Sequence, residues 1–342
     1  MGHAPLLVDR DREVGDPLCG GFLSWRTAQQ LETLGIVPEA LGAHRVTRLR
    51  LFDGKREVSL DLPHAAWGLS RHALDTAMRA RAEAEGARMA FEHIRSVEPD
   101  RVTGKDREWQ ADTVLLASGK HDIRGQSRPR RRKDTALGLR LRFPSSPERT
   151  ALIGGAIELH LFPGGYAGIV LQEGGSANIC LALRKSALAD ADSSPEALFA
   201  QVAENSPAFA ARLGKDWRGG RFDTIGAVPY GYIREDSIDG IWRLGDQAAV
   251  IPSLAGEGIS IAIASGIMAA DGLAAGRDAS AFQRRFAQLA RRPVRLAGAA
   301  WHVGETRLGA RAAIALARIA PSLVADFADR ARIDAPASLA PA

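Results

Sequence analysis

One stretch of the chain concentrates residue types that can do chemistry: Gly245-Asp246-Gln247-Ala248-Ala249-Val250-Ile251-Pro252-Ser253-Leu254-Ala255-Gly256-Glu257-Gly258-Ile259-Ser260. A short apolar strand around Trp242 runs into Gly245-Asp246, Pro252 and the glycines shape a loop, and an apolar helix begins after Gly258. Such a helix opening presents unpaired N–H groups and a positive dipole end, suited to an anionic or electron-rich group. Gly256 and Gly258 carry no side chain, which lets a ligand approach the backbone. Asp246 offers a carboxylate to sugar-like hydroxyls. The plainer alternative is that Asp246 caps a helix and the glycines only turn the chain.

Other reactive residue types are sparse. Cys19 and Cys180 are far apart, which argues against a disulfide framework or a zinc site and favours a reducing, cytoplasmic setting. His44, His64, His72, His93, His121, His160 and His302 are scattered without metal-ligand spacing, so no metal is assigned. A net charge of +5 is too small and too dispersed for a nucleic-acid binder. The one basic run, Arg128-Pro129-Arg130-Arg131-Arg132-Lys133, reads as a solvated loop between domains, with a phosphate or acidic-partner site as the alternative.

The elements that must position these residues follow from periodicity. Leu6-Leu7-Val8 before Asp9 reads as a buried parallel strand, and the segment from Asp112 to Ser118 as another, running into Gly119. Residues 25–34 and 70–85 have helical spacing, with Ser70 as N-cap. Residues 45–62 alternate around Asp53-Gly54, a hairpin signal. Strands recur over 138–143, 156–162, 168–171 and 177–183, separated by glycine pairs, and helices fill 186–215. A buried helix over 259–270 precedes a long helical tail over 279–333. No apolar run reaches the ~18 residues of a membrane span. With 46% hydrophobic and 25% charged residues the chain is globular. Its length suggests about two domains. Interleaving implies an α/β fold: a discontinuous Rossmann-like domain (1–44, 64–135, 236–278), an inserted antiparallel sheet domain (45–63, 136–235) and a C-terminal helical region (279–342).

The segment from Gly245 to Ser260 resembles the second flavin-contacting motif of FAD-dependent oxidoreductases with the para-hydroxybenzoate hydroxylase-type fold, which include geranylgeranyl reductases, aromatic hydroxylases and flavin halogenases. The resemblance implies that FAD is the cofactor, that Asp246 binds its ribityl chain, and that Pro252, Gly256, Gly258 and Ile259 face its ring. Leu69 to Asp75 looks like the same family's Arg-x-x-Leu-Asp helix start, with Arg71 against the cofactor, and Ser118-Gly119 looks like its strand end near the adenosine half. Cys19-Gly20-Gly21 and Phe162-Pro163-Gly164-Gly165-Tyr166 resemble motifs of the geranylgeranyl reductase branch, which makes Cys19 and Tyr166 the catalytic candidates. The halogenase Trp-x-Trp signature does not occur.

The family's Gly-x-Gly-x-x-Gly pyrophosphate turn is not in the sequence. Asp9, with Arg10 beside it, matches the acid that follows that turn by about 20 residues and binds the adenosine ribose. The expectation is therefore an N-terminally truncated cofactor domain, with about 25–35 residues of a βα unit preceding residue 1. The leading functional expectation is a geranylgeranyl reductase-like enzyme, moving a hydride from flavin N5 to a carbon-carbon double bond of a hydrophobic small molecule. The alternatives are a flavin monooxygenase hydroxylating an aromatic or polyketide-like substrate, and a catalytically inactive fold without FAD. NAD(P)H would dock transiently as electron donor. Residues 294–323 either pack on the cofactor domain or give peripheral contact with a membrane. The oligomeric state is left unassigned.

Overall fold

The computed structural model describes residues 4–129, 134–215 and 217–333. Its centre is an eight-stranded sheet in the order Asp223–Val228, Ala136–Phe143, Ala177–Arg184, Gly165–Leu171, Ala156–Phe162, His44–Asp53, Arg56–Gly68, Phe22–Leu23. Every neighbouring pair is antiparallel except Ala156–Phe162 with His44–Asp53. The hairpin turns at Asp53–Gly54, where Gly54 has φ +59°. Two distant pieces of sequence thus build one sheet, and Phe22–Leu23 extends it beyond them.

Period-two alternation gives the sheet two different faces. Ile179, Leu181 and Leu183 are fully buried on one side, joined by Leu139, Leu141, Ile169 and Leu171. Helices Pro195–Asn205 and Pro207–Leu213 cover this side with Phe199 and Phe209. Each starts at a Ser-Pro pair whose serine accepts a hydrogen bond from the third helical N–H, while proline occupies a position that needs no donor. The opposite side carries Tyr166, Gly168, Cys180 and Ala182, which the strand register places side by side. It faces the loop of Ser253 and the tail.

The parallel parts are small. Leu6–Asp9 pairs with Arg88–Phe91, and Ile241–Arg243 with Val114–Leu116. The expectation of buried strands fails in part here. Leu6 is 39% exposed, and Leu7 and Leu115 are each 44% exposed. The reason is topological: among the described residues Leu6–Asp9 and Val114–Leu116 each pair with one strand only, and each sits in a two-stranded sheet.

Helix Gly258–Ala274 is apolar on nearly all sides and buries Ile261, Ile263, Ala264, Met268 and Ala269, the pattern of a core helix. The tail resolves into Ala279–Gly304, Arg307–Ile319 and Pro321–Arg330. It roofs the sheet, with Trp301 against Leu161, Tyr166 and Ala182.

A charged knot lies inside the sheet domain. Arg212 grips Glu158 through Nε at 2.9 Å and Nη2 at 2.8 Å, Arg50 donates to the same carboxylate at 2.8 Å, and His160 Nε2 lies at 3.2 Å. His160 stacks on Phe52 with ring centroids 4.2 Å apart. Burial alone would raise the Glu158 carboxyl, but the hydrogen bonds from His160 and Arg212 outweigh it and hold the group below its ordinary value. Burial lowers His160 despite that partner, so the ring is neutral. A carboxyl lowered in the fold contributes stability above its ordinary value of 4.5 that is lost as the pH falls through its lowered folded value. Glu158→Gln is therefore expected to cost about 3 kcal/mol at neutral pH, because two buried guanidiniums lose their anion. Thermal unfolding from pH 7 downward should also show a shallower loss of stability below pH 4.5 in the variant.

Candidate active site

The strand Ile241–Arg243 delivers the chain to Gly245, whose backbone is left-handed at φ +54°. A Cβ there would come within 3.3 Å of Ala262, and the Gly245 N–H donates to Ser265 Oγ at 2.8 Å. This fixes the turn that holds Asp246. The Asp246 carboxylate is half-buried, and no hydrogen bond from a described residue reaches it. Its backbone carbonyl accepts one from Arg128 Nη1 at 2.9 Å. Burial raises the carboxyl above its ordinary value, opposed by Lys120, Arg128 and Arg71.

The loop that follows closes on Gly256, at φ +67°. A Cβ on Gly256 would meet the Phe22 ring at 2.7 Å, whereas one on Gly258 would meet nothing within 4 Å. The two glycines therefore differ: Gly256 serves backbone conformation and packing, and Gly258 faces open space. No side chain caps the helix at Glu257. The Glu257 carboxylate turns inward instead, paired with Arg332 from the end of the tail. Arg332 lies over the Trp25 ring at 3.7 Å. Burial keeps the Glu257 carboxyl above its ordinary value although Arg332, Ser24 and Ser260 oppose it.

Arg71 opens helix Arg71–Ala84, capped by Ser70, whose Oγ accepts from Ala73 N at 3.1 Å. Its guanidinium forks onto Asp75 with two contacts of 2.8 Å. The loop bearing Cys19 is strapped to the sheet by Asn178, whose amide donates to Cys19 O at 3.0 Å and to Gly20 O at 2.8 Å. Arg140 adds bonds to Asp16 O and Pro17 O. Burial, with Cys19 second, pushes the Cys180 thiol up to about 12.

Tyr166 donates to Ser253 Oγ at 2.8 Å, and the Tyr230 hydroxyl lies 2.7 Å from the same atom. Trp301 stands edge-on to both rings, at 5.9 and 5.5 Å. Burial raises Tyr166 well above its ordinary value and Tyr230 to about 12, so both phenols stay protonated.

Electrostatic coupling links these groups into a closed circuit: Asp246 with Arg71, Arg71 with Cys19, Cys19 with Cys180, Cys180 with Tyr166, Tyr166 with Tyr230, and Tyr230 with Asp246. These groups lie near one another on the side of the sheet that carries Tyr166 and Cys180. Ser253 brings the Pro252–Ile259 loop to it. Gln247 ties in the Ser118–Gly119 turn by donating to Gly119 O at 2.9 Å. Ser118 Oγ itself donates to His121 O at 2.7 Å, and Gly119 has φ +61° with open space beside it.

Asp9 and Arg10 lie apart. Asp9 accepts from Arg79 Nη2 at 2.7 Å, eight residues and so about 12 Å along the helix from Arg71. Arg10 pairs with exposed Asp11. The basic run is corrected at its start. Arg128 is not solvated: it is buried, bonded to Asp122, to Lys120 O and to Asp246 O. Residues 130–133 lie outside the described residues. Sequence reasoning missed Tyr230, Ser253, Trp301 and the Glu257–Arg332 pair as parts of one site. Only Ser253 and Glu257 lay inside a motif already singled out.

No protein-family profile matches the chain, and no curated protein matches it. Solved structures do. The structure titled pqsL, a probable FAD-dependent monooxygenase from Pseudomonas aeruginosa, is 18% identical, covers 91% of this chain and 92% of its own, and superposes with a TM-score of 0.70. The flavin-dependent brominase Bmp2 is 14% identical, with 97% and 89% covered and a TM-score of 0.69. A variant of the halogenase PltM in complex with FAD is 11% identical, with 96% and 77% covered and a TM-score of 0.70. At such identities the likeness is one of fold.

The Glu257–Arg332 pair makes the loop conformation depend on the tail. Arg332→Met should destabilise the protein by about 3 kcal/mol, since it strands a buried carboxylate. Adding Glu257→Gln should recover part of that loss. Thermal unfolding of the single and double variants measures both.

Proposed function

We propose that the protein is an FAD-dependent monooxygenase that hydroxylates a hydrophobic, aromatic small molecule. The observation that carries this reading is the half-buried Asp246 carboxylate, without a hydrogen-bond partner among the described residues, beside a glycine-opened helix start that no side chain caps. A polyol chain and an electron-rich ring edge satisfy both at once. Support comes from the neighbours: one is titled a probable FAD-dependent monooxygenase and another was solved with FAD, each with more than nine-tenths of this chain covered.

The residues present fit the ribityl and ring end of FAD. Asp246 would accept the ribityl hydroxyls, the N–H groups at Gly258 and Ile259 would face the pyrimidine edge, and Arg71 and Lys120 would add positive potential. The Gly-x-Gly-x-x-Gly turn expected for a pyrophosphate is not among the described residues. Bound here, FAD supplies two-electron redox chemistry and reaction with oxygen. The overall balance takes two electrons from a donor such as NAD(P)H, places one oxygen atom of O2 in the substrate and releases the other as water.

The chain's own residues define the substrate side. Gly168, Cys180 and Ala182 make a floor of small residues, and Tyr166, Tyr230 and Trp301 make an aromatic wall that excludes water. With both phenols protonated, the Tyr166–Ser253–Tyr230 chain can donate to a substrate oxygen and orient it without ionising. Cys180 is a poor nucleophile on this reading, because burial holds it protonated, and Cys19 Sγ accepts the Gly21 N–H at 3.4 Å. Reduction of an isolated double bond remains the competing reading, supported by the position of Cys19-Gly20-Gly21 on the same space.

Two measurements test the proposal. Titration of the purified protein with FAD should give a yellow complex, and Asp246→Ala should weaken binding on the order of tenfold or more, the worth of hydrogen bonds to a charged group. A colourless protein that takes up no FAD sinks the proposal. With a panel of phenols and aryl ketones, substrate should stimulate oxygen uptake and acquire one atom of labelled O2. Turnover of an alkene without oxygen would favour the reductase instead. Tyr166→Phe should raise KM roughly tenfold with a smaller change in kcat. Ionisation of Tyr166 or Tyr230 should not enter the pH profile below pH 10.

A further inference from the structure

The tail helices leave an apolar surface that the interior does not use. Arg307–Ile319 packs down through Ile314 and Ala317 onto Leu51, with Leu49, Val58 and Leu60 alongside. On its other side Leu308, Ala312, Ala315 and Ile319 recur at spacings of four and three, which makes one stripe along the helix. All four are exposed, Leu308 to 78% and Ile319 to 83%. Leu316 extends the stripe at 47%.

Pro321–Arg330 then turns by 112°. Its Val324 joins the same buried cluster, while Leu323 and Phe327, one helical turn apart, are 59% and 37% exposed. Both helices rest on one layer, so both apolar crests point away from it.

The flank of this crest is positive. Arg307, Arg311 and Arg318 form a second row at spacings of four and seven. Arg307 and Arg311 make no ion pair or hydrogen bond among the described residues, and Arg318 donates only to the Glu57 carbonyl, at 2.8 Å. Residues 306–325 contain no Asp or Glu. Asp326 and Asp329, further on, face Arg330 and Arg26.

We propose that this face is a peripheral docking surface for an anionic phospholipid bilayer. The crest enters the acyl boundary, and the arginine row meets headgroup phosphates, whose oxygens suit the guanidinium fork. The helices lie along the membrane: no single helix among the described residues is long and apolar enough to cross it. Charge decides against a second copy of the chain as occupant. A two-fold contact would set an unanswered arginine row against itself, with no carboxylate in residues 306–325 to relieve it. The proposal does not depend on the flavin reading.

The test is co-sedimentation of the full chain with vesicles of phosphatidylcholine alone, or with about a third phosphatidylglycerol. The protein should pellet with the anionic vesicles, bind the neutral ones weakly and be released by high salt. Leu308→Ser with Ile319→Ser, and separately Arg307→Gln with Arg311→Gln, should each lower partitioning on the order of tenfold. Both pairs are solvent-exposed, so thermal midpoints should not move, and FAD binding should be unchanged. Absence of binding to anionic vesicles overturns the proposal, as does binding that neither double variant weakens. A lipid-free dimer in velocity sedimentation that both double variants dissolve would also overturn it and assign the face to a second copy.

Discussion

A half-buried carboxylate among cations is ordinarily drawn into an ion pair, and Asp246 is held out of one by construction. Three cations stand within reach, yet none is bonded to it. Arg128 directs its guanidinium to Asp122 and to two backbone carbonyls, one of them that of Asp246 itself. Arg71 is locked onto Asp75. Positive potential is thereby supplied without occupying the carboxylate oxygens. A direct ion pair would have been more stable and would have closed the space. The open oxygens suit hydroxyl donors from outside the chain, which is why the cofactor proposal rests on this position more than on any glycine.

The rest of the site is arranged around keeping that space open and shaped. The sheet contributes a face on which Gly168, Cys180 and Ala182 are neighbours by register. Trp301 covers Ala182, and Gly168 and Cys180 stay only partly buried, while the opposite face, packed with Ile179, Leu181 and Leu183, supplies rigidity. The loop from Pro252 to Ile259 is held from three directions: Phe22 beneath Gly256, the phenols of Tyr166 and Tyr230 on Ser253, and Arg332 on Glu257. These contacts come from the beginning, the middle and the end of the chain. Disturbing any one of them changes the loop that presents the helix start, so the site is a tertiary property and not a local motif.

That distinction explains what could be read from the residues alone. The Gly245 to Ser260 segment was legible because its chemistry is local: a turn, a carboxylate and a helix opening follow from residue type and spacing. The eight-stranded sheet was largely legible because alternation and glycine pairs mark strands and turns, and the tail because its periodicity is strong. Tyr230 and Trp301 were not, since nothing in their flanks distinguishes a wall of a crevice from ordinary core aromatics. Arg128 was misread because neighbouring charges suggested solvent, whereas three nearby backbone and side-chain acceptors draw it inside. Leu6 and Leu7 were misread for the converse reason: an apolar run predicts burial only where a neighbour covers it, and the described residues provide none on that edge.

The tail joins the two sides of this picture. Trp301 and Arg332 face inward, one walling the space beside Tyr166 and the other setting the loop through Glu257. Between them the helix Arg307–Ile319 turns an apolar stripe outward. A segment with only a structural role would gain from polar residues on that side, because water solvates them at little cost and they suppress aggregation. Leu308 and Ile319 are instead the most exposed large apolar residues of the protein among those described, and arginines border them. A helix that is apolar both toward the core and toward solvent answers two sides at once, and the proposed bilayer contact accounts for the outer one as the sheet accounts for the inner.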